Sequence, residues 1–572
     1  MSILKSVVSC MLIFLSGSAF GQDAIYSSLS VHHPLLAENG MVSTQHPEAT
    51  KVGLEILKKG GNAIDASVGV GFALAVVLPR AGNLGGGGFM LYHDNAKNNT
   101  TAYNYREMAP KKAFREMFIG ADGNVDRTLA TASHQSAGVP GTVAGLLKAL
   151  ADHGTMSIQE VIAPAIKLAE EGFEVTYDLA NVLEKYDKRL RASTESEKIF
   201  YPSKTTYYKA GDILVQKDLA WSLKQISKKG RDGFYKGELA KRLAKDMKMN
   251  NGFVTKKDLA KYTVELMKPV TGTYRGYEIQ SMPPPSSGGI HIIQMLNILE
   301  AFDIGQNGHN SAATIHLMAE AMKYAYSDRS EHLGDPNFWE VPVNWITSKT
   351  YGKEISDKIN TTAVTPSSEV SPGQPTDYES EQTTQFTIID KDRNMVSQTY
   401  TLNFSFGNGI VAAGTGILLN NEMDDFSAKP GSPDAYGLLG GDANAIQAGK
   451  RPLSSMTPTI ILKDGEPYFA TGTPGGSRII TTVLQIIMNV IDHEMNVAEA
   501  THATRVHHQW YPEHLFIENR GISMDTQKLL EMMGHNIKVR GAMGSTQTIM
   551  IKDGILHGAT DPRRPDATIK GF

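Results

Sequence analysis

Well past its midpoint, this chain runs through TPSSEVSPGQPTDYESE, a stretch in which no core can form, and then enters an alternating strand, TTQFTIID, without transition. Pro, Ser, Gly and acidic residues keep the segment from Pro366 to Glu381 solvated. The strand begins at Thr383, directly behind Gln382. Any fold must therefore set an exposed connector against the first residue of a strand patterned for burial. Taken alone, the Thr383–Thr384 pair is explained by the ordinary preference of threonine for strands.

The character of the chain differs on the two sides of this connector. Before it, HPEATKVGLEILKKG has helical spacing and ends at Gly60-Gly61, and GNAIDASVGVGFALAVVLP reads as a buried helix. GNLGGGGFMLYHD is a glycine loop feeding a strand, residues 140–260 are mainly helical, and Tyr274 to Ser281 reads as one strand before the rigid turn MPPPSSGG. After the connector, FTIID, MVSQTYTLN, TPTIILKDG, PYFATG, QTIMIKDG and ILHGATD are short strands. Helices near Ile479 to Asp492 and Thr526 to Gly534 interrupt them. The expected architecture is a sandwich of sheets covered by helices.

FTIID-KDR-NMVSQTYTLN predicts a hairpin whose three-residue loop, Lys391-Asp392-Arg393, is closed by Asp390 and Asn394. In that register Ile388 faces Val396, Thr384 faces Tyr400 and Thr383 faces Thr401, with Asn403 two residues further on the same face. Directly opposed residues have Cβ atoms roughly 4.5–5.5 Å apart, close enough for two hydroxyls to interact. A threonine hydroxyl is a weak nucleophile that needs a base, and one available base is the residue's own free α-amine. That amine exists only if the bond from Gln382 to Thr383 has been cut, and an exposed connector would leave the bond accessible.

Other features narrow the class. The N-terminus, MSILKSVVSCMLIFLSGSAFGQDA, has a basic start, an apolar stretch too short to span a bilayer and small residues up to Gly21. It reads as a secretory signal over residues 1–21, placing the mature chain in the periplasm or outside the cell. Cys10 is the only cysteine and lies in that signal. The mature chain is thus expected to have no thiol nucleophile, thiolate metal site or disulfide, and to be stabilised by its core alone. A net charge of −4 gives no basic footprint for nucleic acid. GNLGGGGF lacks the spacing of a phosphate loop and is read as close backbone packing. His507, His508 and His514 match no zinc spacing and are read as structural.

Beyond these local readings, GNAIDA, AGNLGGGGFML, YREMAP, MPPPSSGGIH, LGDP, TYTLNFSFG, LLNNEMDDF, RPLSSMTPT, TGTPGGSRI and AMGSTQ follow one another across nearly the whole mature chain. In this order they resemble the γ-glutamyltranspeptidases of exported bacterial type. The resemblance implies an α+β fold of the N-terminal nucleophile (Ntn) hydrolase kind, an αββα sandwich with two stacked central sheets between helical layers. It implies self-cleavage between Gln382 and Thr383 into a large subunit (22–382) and a small subunit (383–572) that remain together as a heterodimer.

Carried over to these positions, Thr383 resembles the nucleophile, Thr401 the hydroxyl that orients its amine, and Gly475 and Gly476 the oxyanion hole. Arg106, Ser454 and Ser455 would meet a substrate α-carboxylate, and Asn403, Glu422 and Asp425 its α-ammonium, at opposite ends of the amino-acid head. Ser427 to Gly441, including Tyr436, resembles a lid. The implied reaction transfers the γ-glutamyl group of glutathione or related amides to water, amino acids or dipeptides, with no metal or organic cofactor. Many members carry His two places after the nucleophile; here Gln385 stands there, which is expected to affect positioning or processing rate and not the reaction class.

Without the resemblance, Arg106 reads as a surface or ion-paired arginine, Ser454-Ser455 and Gly475-Gly476 as turns, and Asp424-Asp425 as a solvated loop or helix cap. Two other functions stay open on the residues: a side-chain acylase of the same superfamily, cutting for example a glutaryl amide, and a non-catalytic periplasmic amino-acid binding protein, which would remain one polypeptide.

Overall fold

The computed structural model describes residues 30–370, 383–429, 431 and 437–572. The expected export signal, Gln382 and Tyr436 lie outside these residues, as does most of the connector and part of the expected lid.

Strict alternation along the strands builds the fold. In one seven-stranded sheet the order is Thr568–Gly571, Met41–Thr44, Thr384–Ile389, Met395–Thr401, Gly87–Asp94, Asn99–Tyr105, Glu265–Met267. Val42, Met90, Tyr92, Ile388, Val396 and Tyr400 turn outward, into a core shared with helices Pro47–Lys58, Ala63–Val77, Thr142–His153 and Ile158–Glu171. Their chain neighbours Met41, Phe89, Leu91, Ile389 and Met395 turn the other way, into a core with Ile460, Leu462, Ala470, Ile549 and Leu556 of the second sheet. That sheet, again of seven strands, has the order Leu35–Ala37, Ile555–Thr560, Gln547–Lys552, Glu466–Thr471, Thr459–Lys463, Tyr277–Ser281, Val270–Tyr274. Its outer residues Ile279, Ile461, Phe469 and Met550 pack on helices Gly288–Leu299, Ala312–His332 and Arg478–Ile491. The four layers are helix, sheet, sheet, helix, as expected.

The segments before and after the connector do not fold apart. Thr384–Ile389 pairs with Met41–Thr44 on one side, and Met395–Thr401 pairs with Gly87–Asp94 on the other. Two local expectations need correction. Tyr274–Ser281 is not one strand but the end of a hairpin, Val270–Tyr274 and Tyr277–Ser281, turned at Arg275-Gly276, both in left-handed backbone. The connector is shorter than Pro366–Glu381, because Ser367–Val370 forms a helical turn with Ser367 buried, its hydroxyl donating to the Trp510 carbonyl over 2.9 Å.

Candidate active site

The predicted hairpin register is observed: Thr384 faces Tyr400, Ile388 faces Val396 and Ile389 faces Met395. Continued by one step, this register would place Thr383 opposite Thr401, and both residues line one cavity. The turn is held by Asp390, whose carboxylate accepts from the backbone N–H groups of Asp392 and Asn394, and from Ala63 at the start of the buried helix Ala63–Val77. The inter-sheet face of this hairpin changes along its length. It is apolar at Ile389 and Met395, carries Thr387, Gln385, Ser397 and Thr399 in the middle, and ends at Thr383 and Thr401, which line a small cavity.

Thr383, Thr401, Asn403, Arg106, Glu422, Asp425, Ser454, Ser455 and Gly476 all line that cavity, although they come from six separate stretches of sequence. Thr383 and Thr401 are buried. Asn403, in left-handed backbone that Asn tolerates, donates its N–H to Thr401 Oγ1 over 2.9 Å and its side-chain amide to the Asn421 carbonyl over 3.1 Å. Asn420 accepts from the Glu422 and Gly138 N–H groups and donates to the carbonyls of Gly85 and Gly138, locking the NNEMDD turn onto the glycine loop. That loop is indeed a close-packing device: a Cβ on Gly86 would stand 1.9 Å from the Thr401 carbonyl oxygen, and one on Gly88 2.4 Å from that of Thr399.

Gly475 and Gly476, the second of which lines the cavity with Thr383, precede the helix Arg478–Ile491, both with positive φ. Their carbonyls accept from Arg478 and Ile479 N–H, so the positive end of the helix faces the cavity at Gly476 and Ile479. Ser454 is fixed by the MPPPSSGG turn, its N–H donating to the Pro285 carbonyl and its carbonyl accepting from Ser287.

The charged end differs from the sequence-based expectation. Arg106 is not held apart from the acids: its guanidinium pairs directly with Glu422 and Asp425, with the Glu107 carboxylate 3.6 Å away. Buried charges are paired with opposite ones because water does not solvate them there. Nε and NH2 of Arg106 also donate to the carbonyls of Pro452 and Leu453. The Arg106 guanidinium does not offset the burial of all three carboxylates. Burial, opposed by Arg106, raises Glu107 to about 7 and lifts Glu422 well above the usual carboxylate range. Asp424, expected to be solvated, is buried and pairs with Arg127.

Arg329, which lines this pocket, and Glu107, buried behind Arg106, escaped sequence reading. Arg329, in the last turn of Ala312–His332, lines the cavity and donates to Ser287 Oγ over 3.0 Å and towards Ser455 Oγ over 3.4 Å. In sequence it is one more cation near a helix C-terminus. Glu107 sits beside Arg106 in YREMAP and carries no signal of its burial. His507 is structural as read: its nitrogens meet Thr481 Oγ1 and Gln509 Oε1, and burial pushes it down to about 3. Among the described residues no group of three or more His, Asp or Glu is arranged to hold a metal ion, and no helix is long and apolar enough to cross a membrane.

A γ-glutamyltranspeptidase family model matches residues 49–571. The chain belongs to the γ-glutamyltranspeptidase family. Within it, the chain is 54% identical to the glutathione hydrolase proenzyme of Escherichia coli, over 95% of this chain and 93% of that one. It is 38% identical to an acylase proenzyme of Pseudomonas, over 92% of each. Among solved structures, a cephalosporin acylase from Bacillus halodurans superposes with a TM-score of 0.84 at 29% identity, covering 97% of this chain and 99% of that one. A γ-glutamyltranspeptidase from Helicobacter pylori superposes with a TM-score of 0.56 at 48% identity, covering 57% of this chain and 94% of that one. These relatives carry the Ntn-hydrolase fold, and the stacked sheets described above are the same architecture.

Proposed function

We propose that this family member is an exported γ-glutamyltransferase and glutathione hydrolase, synthesised as a precursor that cleaves itself between Gln382 and Thr383. The observation that carries the proposal is the shared cavity, which Thr383, Thr401, Gly476, Arg106, Glu422 and Asp425 line together. Curated relatives named glutathione hydrolase proenzyme at 38–54% identity support it. A solved transpeptidase chain that is itself 94% covered accounts for only 57% of this chain, as expected of a protein made of two fragments.

In the mature enzyme Thr383 Oγ attacks the γ-carbonyl carbon of the donor while its proton passes to the freed α-amine of Thr383. The backbone N–H groups of Gly475 and Gly476 and the helix terminus behind them stabilise the oxyanion. The amine gives the proton to the leaving nitrogen, the C–N bond breaks, and a γ-glutamyl ester on Thr383 remains. Water or an acceptor amine then attacks the ester and returns the proton to Thr383 Oγ. Thr401 orients the Thr383 amine. The donor carboxylate takes Arg106, Ser454 and Ser455, and the donor ammonium takes Asn403, Glu422 and Asp425. The segment 427–441 with Tyr436 acts as the lid.

A glutaryl-type acylase is the competing function, favoured by the acylase relatives. The acids against Arg106 argue for the glutamyl donor, because a glutaryl group brings no ammonium to replace the cation they lose. A denaturing gel and γ-glutamyl against glutaryl anilide turnover decide. Fragments of about 40 and 20 kDa, at roughly 0.11 kDa per residue, the smaller beginning TTQF, with γ-glutamyl preference, are expected. Thr383→Ala should give a single band and no turnover. A single band in fully active wild type refutes the proposal.

A further inference from the structure

We propose that Gln385 is a positioning residue that locks the Thr383 strand to the loop carrying Gly475 and Gly476, and so sets both self-cleavage and turnover. The inference deepens the proposed function and rests on Thr383 being the cleaved and reacting residue.

Gln385 is two residues from Thr383 on the same, inter-sheet face of its strand, and is fully buried. Its side-chain amide is used at both ends. Oε1 accepts from Thr399 Oγ1 at 2.5 Å. Nε2 donates to the Phe386 carbonyl at 2.9 Å and to Ser397 Oγ at 3.1 Å. Ser397 Oγ passes the order on, donating to the Thr471 carbonyl at 2.8 Å across the gap between the sheets. Thr471 is the last residue of its strand and begins TGTPGG. The next residue rests on the amide itself: a Cβ on Gly472 would stand 2.5 Å from Gln385 Cδ. A side chain at Gly472 would have to displace the Gln385 amide, so the loop backbone and the amide are packed directly together.

The geometry therefore runs in one connected path. Thr399 precedes Thr401 by two residues on one strand, Gln385 follows Thr383 by two on its neighbour, and the loop to Gly475 is seated on both through Ser397 and Gly472. The requirement at this position is one acceptor for Thr399 and one donor for Ser397, in a shape that supports Gly472. A neutral imidazole, the group many family members place here, offers the same pair. Alanine offers neither: the buried Thr399 hydroxyl loses its acceptor, and Ser397 Oγ loses a donor while keeping its own bond to the Thr471 carbonyl. Glutamate keeps the shape and the acceptor, but when ionised it loses the donor. The groups that meet the amide from the packed elements, Phe386 O, Thr387, Ser397, Thr399 and Gly472, are all uncharged, so none of them would stabilise a carboxylate by opposite charge. Burial would raise its pKa.

The test uses the full-length precursor with Q385A, Q385E and Q385H, following scission on a denaturing gel and γ-glutamyl anilide kinetics on cleaved enzyme from pH 5 to 9. Q385A should slow scission and lower kcat by roughly 10- to 100-fold, as expected of a sub-ångström to 1 Å misplacement, with KM little changed because the Arg106 end is untouched. Q385H should stay near wild type at pH 8, which also shows that the position tolerates substitution without unfolding. Q385E should approach wild type at acid pH and fall away as pH rises, a signature that simple loss of packing would not give. Q385A with wild-type scission and kcat, or Q385E with a wild-type pH profile, overturns the proposal. Scission needs no donor substrate, so the two readings fail separately. Slow scission in Q385A beside a wild type inert towards γ-glutamyl anilide would sink the substrate assignment and leave the positioning role standing.

Discussion

Arg106 closes its guanidinium on Glu422 and Asp425, the two acids expected to hold the other end of a substrate. A zwitterionic donor must open this pair and replace each charge in turn. A donor with only one charge leaves its counterpart buried and unpaired, a penalty of about 3–5 kcal/mol when one partner of a buried pair is removed. Asp425→Asn is therefore expected to raise KM for γ-glutamyl anilide by roughly 10- to 1000-fold with a smaller change in kcat. It should also narrow the preference over glutaryl anilide. The double variant with Arg106→Gln should cost less than the sum of the singles, since each removes the other's partner. Additive effects in steady-state kinetics would mean the two residues act separately.

Glu107 gives a stability prediction with a definite sign. Its folded pKa of about 7, raised by burial, lies above the ordinary glutamate value of 4.5. The native chain therefore keeps a proton that the unfolded chain releases in that interval. Its contribution is fully present below pH 4.5 and is lost as pH rises through 7. In the uncleaved Thr383→Ala background, the melting temperature should fall between pH 5 and pH 8, and fall less in Glu107→Gln. The difference should correspond to about 1–3 kcal/mol. Parallel pH profiles of the two proteins would show that Glu107 carries no such proton.

Gly86 has no room to vary. A Cβ there would meet the Thr401 carbonyl at 1.9 Å and Asn83 Oδ1 at 2.7 Å, and a strand carbonyl cannot swing aside. Gly86→Ala is expected to destabilise the chain by about 1–3 kcal/mol or more and to slow scission, since Thr401 faces Thr383. Gly541→Ala, where a new methyl group meets nothing within 4 Å, is the control and should behave as wild type. Melting curves and timed gels on both variants make the comparison.

The hairpin was legible because its pattern repeats every two residues and its faces are chemically distinct, so a slip by one would have buried the wrong set. The paired helices Pro47–Lys58 and Ala63–Val77 were legible from their spacing and glycine stop. The Arg275-Gly276 turn was not, because arginine in left-handed backbone leaves no compositional mark. The interleaving of strands from both sides of the connector was hidden as well, since order along the chain does not fix neighbours in a sheet. At the site, motif order named the residues of the cavity. Arg329 joins it only through the packing of a helix end, and the closure of Arg106 on Glu422 and Asp425 depends on shared burial, which no spacing encodes.

Behind the Gly475 loop, Asp561 supplies the last prediction. Its Oδ2 accepts from Arg505 NH2 at 2.6 Å and from the Thr546 N–H at 2.7 Å, and its Oδ1 from the Arg563 N–H at 3.0 Å. Arg505 in turn donates to the Met543 carbonyl at 2.6 Å, and Gly544 next to it packs over Thr473 and Gly475. Burial alone would raise the Asp561 carboxyl, but Arg505 and Arg563 hold it below the usual range. A depressed carboxyl contributes stability that is present above its unfolded value near 3.8 and is lost as pH falls through the folded value. Asp561→Asn keeps the shape while leaving Arg505 and Arg563 with one fewer anion. It should destabilise the Thr383→Ala precursor at pH 7 by about 3–5 kcal/mol, the range for breaking a buried pair, and the deficit should shrink as pH approaches the folded value. Because the loop carrying Gly475 leans on this cluster, the same substitution in the active chain should lower kcat more than it raises KM. An Asp561→Asn protein with wild-type melting at pH 7 would show that the cluster bears no weight, and a pure KM effect would place its influence at the Arg106 end of the cavity.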